Sequence, residues 1–129
     1  MGKEIYVERL LETENLTDEL EDQDANWLLE WGIARLDRVL QGSVDEEAAG
    51  NRVNALMAVM RKINRIAGSR ADRSPEDLKA DLIALNGLFE AAFGSAQLVS
   101  PGELEAAAAS LPGLSTRQAL ELLTGWGSI

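Results

Sequence analysis

The sequence predicts an all-α protein, an up-down helical bundle of three long helices followed by two short C-terminal helices. Apolar residues recur at helical spacing along three long segments, and helix-capping signals stand before several of the predicted helices. No segment after residue 16 has the alternating pattern typical of a β-strand. The connections are short, so successive long helices are expected to be antiparallel neighbours.

A single domain is expected, because 129 residues suffice for one hydrophobic core and not for two. Residues 1–16 combine strand-forming and helix-forming residues, and we expect a peripheral or flexible arm there. Residues 17–129 are expected to form the helical-bundle domain. No apolar run is long enough to span a bilayer, and the charged first residues do not resemble a signal peptide. A cytoplasmic protein that does not bind membranes is therefore predicted.

The first long helix is predicted from Thr17, a suitable N-cap, to Gln41, with Gly42 ending it. At about 100° per residue, its apolar residues form one broad face typical of a core-facing helix. This face contains Leu28, Leu29, Gly32, Ile33, Leu36, Val39 and Leu40. Gly32 on that face predicts a close crossing with another helix, because it has no side chain.

The other two long helices are predicted from Ser43 or Asp45 to Gly68 and from Ser74 to Gly94. The apolar face of the second contains Val53, Leu56, Val59, Met60, Ile63 and Ala67. The apolar seam of the third contains Leu78, Leu82, Leu85, Phe89 and Ala92, with the alternating spacing of an antiparallel bundle.

Capping signals at Ser100 and at Ser115 with Gln118 predict the two short helices. The first is broken at Leu111-Pro112-Gly113, and the second ends at Gly125. Trp126 and Ile129 are predicted to lie in the tail.

The absence of Cys and His limits the chemistry that the chain can carry out. It excludes disulfides and thiolate catalysis, and it removes the commonest general base and the commonest zinc ligand. Carboxylates at the spacing of a magnesium site occur at Asp18, Glu19 and Asp22 and again at Asp77 and Asp81. The last two lie about 100° to the side of the leucine seam, which favours a solvated flank. We therefore expect no metal and no cofactor.

The first long helix has a second apolar face, here called the Trp-bearing face. It comprises Leu20, Trp27, Trp31, Arg35 and Arg38. One interpretation is that the C-terminal helices or the N-terminal arm cover it, since monomers rarely expose two Trp side chains. The other is that it binds a partner, because Trp and Arg are enriched in binding hot spots. A two-fold homodimer is the simplest such case.

A basic patch in the middle of an acidic chain is the second candidate surface. It comprises Arg61, Lys62, Arg65, Arg70 and Arg73. Pairing with acidic residues of the same chain is the first expectation, and docking of an acidic protein surface is the second. Nucleic acid is not expected to bind, because the net charge is −10 and no base-stacking aromatic residue accompanies the patch.

Taken together, these patterns predict a small non-enzymatic protein-interaction module, an adaptor, regulator or assembly factor that docks through the Trp-bearing face. Its partner would be another protein or a second copy of the chain. Two alternatives stay open: an enzyme that uses carboxylates and a divalent metal, and an acidic protein that mimics nucleic acid.

Overall fold

The computed structural model describes residues 2–94 and 100–126, and within these ranges it contains helices and turns but no strand. The α-helices are α1 (Lys3–Glu12), α2 (Asp22–Gln41), α3 (Glu46–Ser69), α4 (Pro75–Phe93), α5 (Pro101–Ser110) and α6 (Thr116–Gly125). Short 3-10 turns, Arg70–Asp72 and Leu111–Gly113, follow α3 and α5. The predicted all-α class, with three long and two short C-terminal helices, is confirmed. Ile129 lies outside the described residues.

Polar side chains cap the N-termini of the last four helices, as the sequence predicted. The capping oxygens belong to Asp45, Ser74, Ser100 and Ser115, and each accepts a hydrogen bond from the backbone N–H three residues later. Ser115 and Gln118 form both halves of a capping box. These bonds satisfy N–H groups that have no partner inside the helix, and they fix where each helix begins.

The helix predicted from Thr17 begins instead at Asp22. Thr17 starts a turn, because its carbonyl accepts a hydrogen bond from the N–H of Leu20 at 3.1 Å. Before it, Asn15 adopts a left-handed backbone conformation with a φ of 70°. Residues 13–21 therefore form an irregular connection between α1 and α2.

A buried asparagine of α3 holds this connection in place. Asn64 Nδ2 donates to Oδ1 of Asp18 at 2.8 Å, and Asn64 Oδ1 accepts from the backbone N–H of Glu19 at 3.1 Å. Leu16, from the same connection, is buried in the core. Contacts with a helix more than forty positions away thus outweigh the local capping signal at Thr17.

Residues 3–12, for which strand and helix were both open, form helix α1. Tyr6 and Leu10 are buried in the common core, and α1 contacts α2. The Lys3 ammonium pairs with Asp37, near the C-terminal end of α2, at 3.2 Å. Since Lys3 begins α1, the two helices run in opposite directions.

The core lies around α3, which contacts α2, α4 and α6. Every residue of the predicted apolar face of α3 and of the leucine seam of α4 is buried. Gly32 permits the close crossing predicted for it, because a Cβ there would lie 2.5 Å from Sδ of buried Met60. At the end of α3, Arg70 donates to the carbonyl of Leu114 from Nε at 3.0 Å and from Nη2 at 2.8 Å, joining α3 to the connection before α6.

Candidate partner-docking site

Trp31, at the centre of the Trp-bearing face, is a core residue. Its side chain is 8% exposed, and its ring meets Phe89 of α4 edge-to-face, with 6.4 Å between the ring centroids. The Arg35 guanidinium lies 5.3 Å from the centre of the same indole. The indole N–H is buried and has no hydrogen-bond partner among the described residues. The contact with α4 places this indole inside the bundle.

Trp27 is half-buried where α2 meets α6. The guanidinium of Arg117, from α6, lies 5.3 Å from the centre of its ring, and Arg117 Nε donates to Asp24 Oδ1 at 3.1 Å. Leu20 is also half-buried against the core. The Arg38 guanidinium lies 4.7 Å from the ring centre of Phe93. The helices of this chain therefore cover much of the Trp-bearing face, and partner binding by its exposed remainder stays a prediction.

Three members of the basic patch make contacts within the chain. Lys62 pairs with Asp81 at 3.4 Å, Arg73 also pairs with Asp81, and Arg70 donates to the backbone carbonyls of Ala67 and Leu114. Arg61 and Arg65 are exposed, beside a pocket of ≈ 220 Å³. The contacts of Lys62, Arg70 and Arg73 agree with the expectation of intramolecular pairing and leave only part of the patch for a partner.

Two of the carboxylates that have the spacing of a magnesium site bind other residues of this chain. Asp81 accepts from Lys62 and Arg73, and Asp18 accepts from Asn64. In residues 2–94 and 100–126, no three acidic side chains are grouped so as to hold a metal ion. Ion pairs at Asp81 and a hydrogen bond at Asp18 are thus the roles that the structure shows for two of these carboxylates.

An open groove lies between α1 and α2, and we call it the α1–α2 groove. Its volume is ≈ 380 Å³, and its lining residues are Lys3, Glu4, Val7, Glu8 and Ile33. Val7 and Ile33 are half-buried and form its apolar floor, whereas Glu4 and Glu8 are exposed at its edge. The groove thus combines an apolar centre with a polar, mainly acidic rim, the composition typical of a protein-binding site.

The apolar strip and its acidic border extend beyond the lining residues. Leu11 stands one helical turn after Val7 on α1 and is 58% exposed. On α2, the exposed acids Glu30 and Asp37 stand about one turn before and one turn after Ile33. Acidic residues therefore border the floor on both helices, and among the described residues the Lys3 ammonium, paired with Asp37, is the single basic group lining the groove.

Sequence reasoning missed this groove, because it assigned Ile33 to the core-facing side of α2 and left residues 1–16 as an arm. The available signal was the pattern of residues 3–12 read as a helix. In that reading Val7 and Leu11 fall on one side, with Glu4 and Glu8 next to them. The position of Ile33 opposite Val7 requires the tertiary contact between α1 and α2.

Comparisons with known proteins do not assign a function. No protein-family model matches the chain, and searches among curated proteins and solved structures return no match. Within residues 2–94 and 100–126, no helix combines the length and the apolar character needed to cross a membrane. Evidence for function therefore comes from the surface of this protein.

Proposed function

We propose that this protein is a small non-enzymatic interaction module, an adaptor, regulator or assembly factor, that binds another protein in the α1–α2 groove. The observation that supports this is the apolar floor formed by Val7 and Ile33, which the folded chain leaves partly open. Covering such a floor with an apolar side chain releases about 25 cal/mol for each Å² removed from water. A concave apolar centre is also the place where binding hot spots occur.

The groove is preferred to the Trp-bearing face because the indole of Trp31 is already packed against Phe89. A partner could reach that indole only by displacing core contacts. At the groove, Ile33 and Val7 are accessible without any rearrangement of the bundle. The proposal therefore keeps the predicted function and moves the docking surface to the opposite side of α2.

The groove also favours protein docking over the two alternatives. Mimicry of nucleic acid needs carboxylates in a row, and the apolar floor that Glu4 and Glu8 border has no counterpart in a phosphate backbone. A carboxylate enzyme needs acids that converge on one point, whereas Asp81 is held by Lys62 and Arg73.

Affinity capture from the native cells, read by quantitative mass spectrometry, tests this proposal. The test variant is Ile33→Gln, and the matched control is Ile83→Gln, at a position of α4 that is 60% exposed. Proteins that dock in the groove should be retained by the parent and the control but depleted about tenfold, or ~1.4 kcal/mol, by Ile33→Gln. Circular dichroism establishes that both variants are folded.

Two results would contradict the proposal. Equal capture by the parent and Ile33→Gln would show that the groove is not the docking surface. Partners lost with Trp27→Ala and retained with Ile33→Gln would return the function to the Trp-bearing face.

A further inference from the structure

We infer that the α1–α2 groove accepts a cationic amphipathic helix of another protein, with aliphatic side chains on the floor and Lys or Arg side chains against the rim. This inference rests on the proposed function and adds the chemistry of the partner. Its basis is the Val7 and Ile33 floor, the carboxylates of Glu4 and Glu8 that line the groove with it, and Glu30, one helical turn before Ile33 on α2.

The charges around the groove indicate that the partner segment is positively charged. Glu4, Glu8 and Glu30 are exposed and form no ion pair with any residue in 2–94 or 100–126, whereas Asp37 is paired with Lys3. The chain as a whole carries a net charge of −10. A cationic segment is therefore attracted at long range and oriented by the rim, while an acidic segment is repelled.

Shape identifies the conformation of the partner. The groove lies between two antiparallel helices, and a third helix lying along it can pack its side chains between theirs. Val7 and Leu11 are one turn apart, so aliphatic residues one turn apart on the partner can reach both. Binding by β-strand addition would need an open strand edge, and the structure shows no strand in residues 2–94 and 100–126.

A second copy of the chain fits this groove poorly. A two-fold interface at the groove would bring Glu4, Glu8 and Glu30 of one copy against acids of the other, because both copies use the same surface. A head-to-tail contact could instead bring the exposed Arg61 and Arg65 into the groove.

Three synthetic peptides of about 16 residues, roughly 24 Å of helix, provide the direct test. The first has Leu on one face and Lys on its flanks, the second replaces Lys by Glu, and the third scrambles the order of the first. Binding to the full chain is measured by calorimetry at low salt and at about 0.15 M salt. We expect the first peptide to bind at least about tenfold more tightly than either of the others.

Matched variants assign that binding to the groove. Ile33→Gln should abolish it, and the triple variant Glu4→Gln, Glu8→Gln and Glu30→Gln should weaken it about tenfold and reduce its salt dependence. A control triple variant, Glu47→Gln, Glu90→Gln and Glu121→Gln, removes three exposed acids elsewhere and should bind as the parent does. Circular dichroism and the thermal midpoint confirm that each variant is folded.

The outcomes separate this inference from the proposed function. If the Glu peptide binds as well as the Lys peptide and Ile33→Gln abolishes both, the groove is a docking site and the cationic inference is wrong. If the scrambled peptide binds equally, or no peptide binds, the amphipathic-helix inference is overturned, while the capture experiment still decides the proposed function. Salt-sensitive self-association lost in Ile33→Gln and in Arg61→Ala with Arg65→Ala would overturn it in favour of a second copy.

Discussion

Asn64 of α3 and Asp18 of the α1–α2 connection are joined by a hydrogen bond of 2.8 Å from Nδ2 to Oδ1, across 46 positions of sequence. The other end of the Asn64 amide accepts from the backbone N–H of Glu19. With only 3% of its surface exposed, Asn64 is one of the few buried polar residues in the part of the chain that the structure describes. One side chain thus ties to the central helix the segment that positions α1.

We expect Asn64→Ala to destabilise the protein by about 1–3 kcal/mol, because it removes the hydrogen bonds of a buried amide to Asp18 and to the backbone of Glu19. The control is Asn54→Ala, at an exposed position of the same helix, with an expected change within about 0.5 kcal/mol. Urea denaturation measures both. Equal midpoints for the two variants would show that the connection does not depend on Asn64.

Leu85→Ala is expected to cost about 2–5 kcal/mol, the range for buried Leu truncations. Leu85 is fully buried at the middle of the seam of α4. Ile83→Ala, two residues away and largely exposed, should change the free energy of unfolding far less. The denaturant midpoints of the two variants, measured side by side, check this difference. A midpoint for Leu85→Ala that matched the parent would place the seam outside the core.

Gly32→Ala is expected to destabilise by about 1–3 kcal/mol, because the added methyl group overlaps the buried side chain of Met60. Gly87 of α4 provides the control, since a Cβ there meets nothing within 4 Å. Gly87→Ala should stabilise by about 0.4–1 kcal/mol, because alanine restricts the unfolded chain. Thermal unfolding distinguishes the two variants, because the midpoint should fall for Gly32→Ala and rise for Gly87→Ala. Stabilisation by both variants would mean that Met60 moves aside without cost.

Trp31→Ala is expected to cost about 3–5 kcal/mol while leaving the mass measured by light scattering unchanged, because the indole packs against Phe89 of its own chain. Trp27→Ala should cost less, since Trp27 is only half-buried. A fall in mass with an unchanged unfolding midpoint would instead identify Trp31 as part of an interface between copies.

The basic patch is expected not to bind duplex DNA with a Kd tighter than about 10⁻⁴ M at physiological salt, the weak end of non-specific binding. The net charge of −10 repels DNA, and Lys62 and Arg73 are paired with Asp81. A salt titration with fluorescent duplex DNA measures this. Micromolar binding that Arg61→Ala and Arg65→Ala weaken would contradict the expectation.

Much of the fold could be predicted from local signals. The side chains of Ser74, Ser100 and Ser115 cap helices where the sequence placed them, and Asp45 is one of the two caps predicted for α3, because a cap depends on residues only three positions apart. The start of α2 could not be predicted in this way. There the backbone at Glu19 binds Asn64, and nothing near Thr17 in sequence records that contact.

The candidate site was harder to predict. Helical periodicity shows which residues share a face of a helix, but it does not show which other helices pack against that face. Trp31 and Ile33 illustrate this point. The angular pattern placed Ile33 with the core and Trp31 opposite to it, yet Phe89 packs against Trp31 and Ile33 lines a groove. The positions of α1 and α4 around α2 determine both outcomes.

Helix α1 has ten residues, too few for a stable helix by itself, so its order depends on Tyr6, Leu10 and the connection held by Asn64. Because α1 forms one wall of the groove, a ligand of the groove binds only while α1 is docked. Ligand at about 100 times its Kd would therefore oppose undocking by ~2.7 kcal/mol, detectable as slower amide hydrogen exchange in α1. By the same linkage, a substitution at Asn64 that favours undocking of α1 weakens the affinity of the groove for its ligand, although Asn64 does not line the groove.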